Sequence, residues 1–353
     1  PYRDMGFSDV APWETAEHKE LARQVTRKSV VLLKNEGGLL PLDKKEVRKI
    51  AVIGNRAESV LKDWYGALPA YSVSALEGIK AAVEGEDVEV RFQAWDSDGK
   101  AQELAAWADV AIVCVGNHPM TSPDWKWEKI QAPWGEGTVA GDGREAVDRR
   151  SLELESEDLI KMVWKANPNT IVALISSFPY TIDWTQEHVP SILHVSQCSQ
   201  ELGNALADVI FGDYNPAGRT TQTWVKDILD LPGMLDYDIR NGRTYMYFKG
   251  EPLYPFGYGL SYTSFEYSRL KVRCQKDSVR LSFDLSNTGG RDGEEVVQLY
   301  VRFPGDDAAM RLRGFERVPV SEGANQGISN LFLLQMFHQV KQCLNRSEEH
   351  TSE

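Results

Sequence analysis

Apolar residues along the chain follow two periodicities. From position 50 to about 211, short continuous apolar runs alternate with stretches whose apolar residues recur at helical spacing. The runs IAVIG (50–54), VEVRF (88–92), DVAIVCVG (109–116), TIVALIS (170–176) and SILHVSQ (191–197) predict strands, and 74–83, 100–107, 155–166 and 199–211 predict helices. Strands this apolar are covered on both faces, so the expected fold is α/β, a mostly parallel sheet sandwiched by helices. Upstream, Leu21, Val25, Leu32 and Leu33 predict one amphipathic helix from about Thr15 to Asn35, stopped by Gly37 and Gly38.

From Phe265 the period changes to two. FEYSRLKV, SVRLSFDLSNTG, DGEEVVQLYVRF and RLRGFERVPV predict four strands of an antiparallel β-sandwich. An immunoglobulin-like sandwich needs about seven. The next stretch, ISNLFLLQMFHQVKQCLN, lacks alternation and is helix-biased, and RSEEHTSE resembles translated sequencing-adapter read-through. The expected organisation is a linker at 1–13, an α/β domain at 14–264, an incomplete sandwich at 265–323, and a tail at 324–353 foreign to the fold. The alternative for that tail is a genuine C-terminal helix with polar residues after it.

Two irregular stretches interrupt the pattern, at 117–150 and 214–265. The first exceeds the roughly 12–15 residues usual for a structureless connection. It leaves the carboxyl end of a strand, where open α/β sheets place ligands. It carries Trp125, Trp127 and Trp134, together with Glu128, Glu136 and Glu145. Trp184, after SSFPYTID, is expected to end a strand of its own and pack at a domain interface.

Charge narrows the functional classes. A formal charge of −13 without a basic patch argues against nucleic acid as a partner. Nothing approaches the apolar length of a membrane span, and no cleavable leader follows Pro1. Cys114, Cys198, Cys274 and Cys343 make no metal-ligand spacing with the histidines; Cys114 and Cys198 sit in strand-like runs and read as core residues. A dinucleotide site is rejected, because only Gly54 of a G-x-G-x-x-G follows the first strand.

Three strings carry a resemblance: ARQVTRKSVVLLKNEGGLLPL (22–42), GDYNPAGRTTQTW (212–224) and PLYPFGYGLSYTSFEYS (252–268). Over residues 14–320 the chain is similar to glycoside hydrolase family 3, with Thr221 and Val225 at positions where that family usually has Pro. The resemblance implies that a (β/α) barrel carrying an Asp nucleophile precedes these residues, and that the sandwich is fibronectin type III-like. On it, the chain is a fragment of a retaining, exo-acting β-glucosidase or β-xylosidase, acting on oligosaccharides or β-glycosides. A non-catalytic carbohydrate-binding or scaffold role, inactive alone, is the alternative.

The acid/base Glu of such enzymes sits in an E-x-x-D-R string, here Glu145-Ala146-Val147-Asp148-Arg149, with Glu136 as its main rival on the same stretch and Glu128 after it. Asp148 and Arg149 are expected to pair and anchor the loop. The three tryptophans are expected to meet a sugar ring or the barrel face, and His118 to hydrogen-bond substrate or to serve structure. Neither metal nor cofactor is expected, since two carboxylates suffice for hydrolysis. The family favours a secreted or periplasmic location.

Overall fold

The computed structural model describes residues 11–58, 60, 69–95, 98–117, 152–197, 199–275, 278–303 and 305–335. They form two compact units that divide between Tyr214 and Asn215. The irregular 215–264 stretch belongs to the second unit together with the sandwich strands.

The first unit is built on a six-stranded sheet. Its strands are β1 (Val31–Asn35), β2 (Lys49–Ile53), β3 (Glu89–Gln93), β4 (Val110–Val115), β5 (Thr170–Ile175) and β6 (Ser191–Val195), in the order β1-β6-β5-β4-β2-β3. β2 to β6 run parallel, and β1 pairs antiparallel with β6, Val31 opposite His194. Every residue of β4 and β5 is buried, as their unbroken apolar sequences require.

Two helical groups accompany the sheet. α1 (Ala16–Ser29) and α2 (Ala75–Ala82) pack on α6 (Leu202–Ile210), while α4 (Glu157–Ala166) packs on α3 (Lys100–Trp107) and α5 (Asp183–His188). A Cβ on Gly78 would lie 2.1 Å from the Gly203 carbonyl, so α2 and α6 meet backbone to backbone. α2 starts on a capping box: Ser74 Oγ accepts from the Glu77 amide at 3.3 Å, and Glu77 Oε2 from the Ser74 amide at 2.7 Å.

The single helix expected from 15 to 35 is two elements. α1 stops at Ser29, and Leu32 and Leu33 lie in β1 at 0% exposure, whereas Leu21 and Val25 are exposed. The open edge of β6 recruits the continuous run Val30–Leu33 as a strand, and tertiary pairing overrides the helical spacing. α1 is held instead by Arg23, whose Nε donates to buried Asp208 of α6 at 2.7 Å. Trp184 also departs from expectation. It sits in α5, stacked on His188 at 4.4 Å and edge-on to Trp164 at 5.6 Å.

In the second unit, two of the strings that carried the resemblance lace together. Thr220 donates its amide to the Tyr258 carbonyl at 2.8 Å and accepts from the Gly257 amide at 2.7 Å. Asn215 Oδ1 accepts from Ser261 Oγ and the Tyr262 amide, both at 2.8 Å. A side chain at Gly259 would strike the Gly218 carbonyl at 2.2 Å, which is why glycine stands there.

The sandwich that follows has a three-stranded sheet, order β11-β8-β7, from β7 (Phe265–Gln275), β8 (Ser278–Asn287) and β11 (Asn325–Gln335). Its other sheet pairs β9 (Gly293–Val301) with β10 (Arg311–Val320). Phe283, Leu285, Val297, Val318 and Val320 form the core. β11 corrects the expectation for the C-terminal stretch: Asn325–Gln335 is not helical and not outside the fold, but pairs antiparallel along β8. The free edge of β8 supplies backbone partners to a segment rich in Ile, Phe and Leu, which suit a pleated surface.

Candidate active-site rim

Strand order reverses between β2 and β4, the point at which open α/β sheets bind ligands at their carboxyl ends. The rim there is built from Gly54–Arg56 after β2, Gly116 and Asn117 after β4, Ser176 and Ser177 after β5, and Gln197 after β6.

Two glycines let these strand ends converge. Gly54 and Gly116 have φ of 115° and 137°. A Cβ would lie 2.2 Å from the Cys114 carbonyl oxygen at Gly54, and 1.9 Å from that of Ile175 at Gly116. Arg56 fastens the same corner, its amide donating to the Cys114 carbonyl and its Nε to the Gly116 carbonyl, each at 3.2 Å.

Asn117 is fully buried and clamped to the end of β5. Its Oδ1 accepts from the Ser177 amide at 3.2 Å, and its Nδ2 donates to Ser177 Oγ at 3.4 Å. The chain returns to the described structure at Leu152, whose carbonyl accepts from the Thr181 amide at 2.8 Å, with Glu153 bridged to Thr181. Departure and return therefore both rest on the connection between β5 and α5. His118, Trp125, Trp127, Trp134, Glu145, Asp148 and Arg149, with the rival carboxylates Glu128 and Glu136, all lie in the stretch between, outside the described residues.

The titratable groups behind the rim serve structure. Burial pushes the Cys114 thiol up to about 12, so it is not a nucleophile at neutral pH. Burial lowers His194 to about 4, against a smaller opposing effect of its hydrogen bond to the Leu174 carbonyl at 3.2 Å. Two acceptors, Asn55 Oδ1 and Gln197 Oε1, are buried without a hydrogen-bond partner. Sequence reasoning passed over Asn117 and Ser177. The available signal was an Asn closing an apolar run.

A family model described as "Glycosyl hydrolase family 3 C-terminal domain" matches residues 30–262. The chain is 32% identical over 347 residues to a beta-xylosidase of Formosa agariphila, covering 89% of this chain and 44% of that protein. It is 30% identical over 365 residues to a periplasmic beta-glucosidase of Salmonella typhimurium, covering 93% and 47%. A solved b-glucosidase from Erythrobacter marinus superposes with a TM-score of 0.74 at 32% identity, over 91% of this chain and 46% of that one. A beta-D-glucoside glucohydrolase from Trichoderma reesei superposes with a TM-score of 0.78 at 26% identity, over 91% and 50%. The chain spans about half the length of the curated relatives it matches.

Proposed function

Because the chain belongs to glycosyl hydrolase family 3, we propose that it is the part of a retaining, exo-acting β-glycosidase that supplies the acid/base carboxylate, Glu145. The observation carrying this reading is that the Glu145–Arg149 string falls in the sequence between Asn117 and Leu152, and that Asn117, which follows β4 at the edge of the switch point, is fastened to Ser177 beyond β5. Relatives named as beta-xylosidase and beta-glucosidase support a terminal β-linked sugar as substrate.

Retention needs two carboxyl groups roughly 5–5.5 Å apart. One attacks the anomeric carbon, and in this reading it belongs to a barrel outside these residues. The Glu145 carboxyl gives its proton to the departing glycosidic oxygen as that bond breaks, then takes a proton from the water that releases the sugar. The nucleophile's negative charge, facing Glu145, favours the protonated form before reaction. Asp148 and Arg149 hold the loop, Trp125, Trp127 and Trp134 offer flat apolar faces to a pyranose, and His118 reaches a hydroxyl.

The test pairs the chain with its barrel and assays aryl β-glucosides and aryl β-xylosides. Activity that appears with the chain and falls about 10²–10⁴-fold with Glu145→Gln supports the acid/base role. Undiminished turnover by the Gln variant would remove it, and no turnover of any aryl glycoside would defeat the glycosidase reading.

A further inference from the structure

Asn241 is the only asparagine in the chain followed directly by glycine. It is exposed and ends the short helical turn Ile239–Asn241, with Gly242 beyond it at a φ of 106°. A Cβ at Gly242 would meet nothing within 4 Å, so solvent reaches this peptide. Asparagine is among the thermolabile residues. It is least protected where the next residue has no side chain to shield its backbone nitrogen.

The turn restrains both groups that would react. Asn241 Nδ2 donates to Asp236 Oδ2 at 2.9 Å, and the Gly242 amide donates to the Ile239 carbonyl. The neighbouring acid is already engaged, since Asp238 accepts from Arg240 Nε at 2.9 Å and from its Nη2 at 2.7 Å. Asp236 is therefore the acid that holds the Asn241 side chain. Beyond the turn, the short helix Thr244–Tyr247 grips the sandwich. Its Met246 carbonyl accepts from the Ala309 amide at 2.7 Å, and Tyr245 Oη from the Leu312 amide at 3.0 Å.

We propose that Asn241 is a site of spontaneous deamidation whose rate is set by Asp236, independently of the glycosidase reading. The Gly242 nitrogen bonds to Asn241 Cγ and gives up its proton, while the Cγ–Nδ2 bond breaks and that nitrogen leaves as ammonia. Water then opens the cyclic imide. Opening at one carbonyl gives aspartate, and at the other isoaspartate, whose main chain runs through the former side chain. Water is the sole co-reactant. Attack requires the side chain to leave Asp236, so this hydrogen bond acts as a latch. The product cannot remake it, because a carboxylate at 241 meets the like charge of Asp236. The extra methylene of isoaspartate also lengthens the main chain where the turn feeds the helix that grips Ala309 and Leu312.

Incubating the 353-residue chain at mildly alkaline pH and weighing its peptides tests this. The peptide containing position 241 is expected to gain about 1 Da and to resolve into aspartate and isoaspartate forms. In heavy-oxygen water the product should carry one labelled oxygen. Asp236→Ala should speed the gain about fivefold, the worth of one hydrogen bond. Asp236→Asn, which keeps an acceptor oxygen, should react near the wild-type rate. No gain at 241 in the folded chain, where the urea-unfolded chain shows one, overturns the site. Equal rates for wild type and Asp236→Ala, or an equal rise in Asp236→Asn, overturn the latch. In the isoaspartate fraction the Ala309 and Leu312 amides should exchange hydrogen about tenfold faster. Unchanged exchange there overturns the effect on the sandwich.

Discussion

Asn117 and Ser177 are joined twice, amide to side-chain oxygen and side-chain nitrogen to hydroxyl, across the carboxyl ends of two neighbouring parallel strands. Asn117 has no exposure, so its partners cannot be replaced by water without rearrangement. Asn117→Ala is expected to cost about 1–3 kcal/mol, because it strands the Ser177 amide. Ser177→Ala should cost less, since that amide remains bonded. Urea unfolding of both variants measures the difference, and equal midpoints would show that the clamp carries no weight.

Gly116 and Gly85 separate backbone preference from close approach. Both have positive φ, 137° and 84°, but a Cβ at Gly85 meets nothing within 4 Å, whereas at Gly116 it meets the Ile175 carbonyl oxygen at 1.9 Å. Gly85→Ala should cost about 1–2 kcal/mol from conformation alone. Gly116→Ala adds an overpacking cost of about 1–3 kcal/mol. Thermal unfolding of the pair decides it, and similar losses would mean that the β4–β5 contact relaxes freely.

Acid should destabilise the first unit through His194. Its pKa is depressed by burial from 6.5 to about 4. The unfolded chain therefore binds a proton that the folded chain refuses, so the stabilisation is complete above pH 6.5 and is lost as pH falls toward 4. The loss by pH 4 is on the order of 3 kcal/mol. His194→Gln should flatten the stability profile over that window in denaturant titrations; an unchanged slope would indicate that water reaches the ring.

Removing residues after Ala324 would strip β8 of β11 and turn an interior strand into an edge. The shortened chain is expected to melt earlier and to aggregate, as read by scattering during a thermal ramp. If it behaves like the longer chain, the β8–β11 ladder contributes nothing to the sandwich.

The strands buried on both sides were legible because their chemistry admits one reading. VAIVCV and TIVALI are too apolar for a half-exposed sheet, and the helix at 100–107 follows from its spacing. Leu32 and Leu33 were not legible. Their positions relative to Leu21 and Val25 also satisfy a helix, and only the open edge of β6 decides for β1. α5 escaped notice because DWTQEH is short and its N-cap residue, Ile182, makes no side-chain capping bond. At the rim, the apolar run pointed to the end of β4, but the clamp joins residues sixty positions apart. No local pattern announces such a pairing.

Among the described residues the six strands pair without the stretch from 118 to 151, and the residues flanking it, Asn117 on one side and Leu152 and Glu153 on the other, are fastened beside one another on the connection between β5 and α5. Mutation can therefore rewrite or lengthen the intervening sequence while the register of the sheet stays fixed. The folding of the sheet and the composition of that stretch become separately evolvable, which makes it a natural cassette for exchange between relatives.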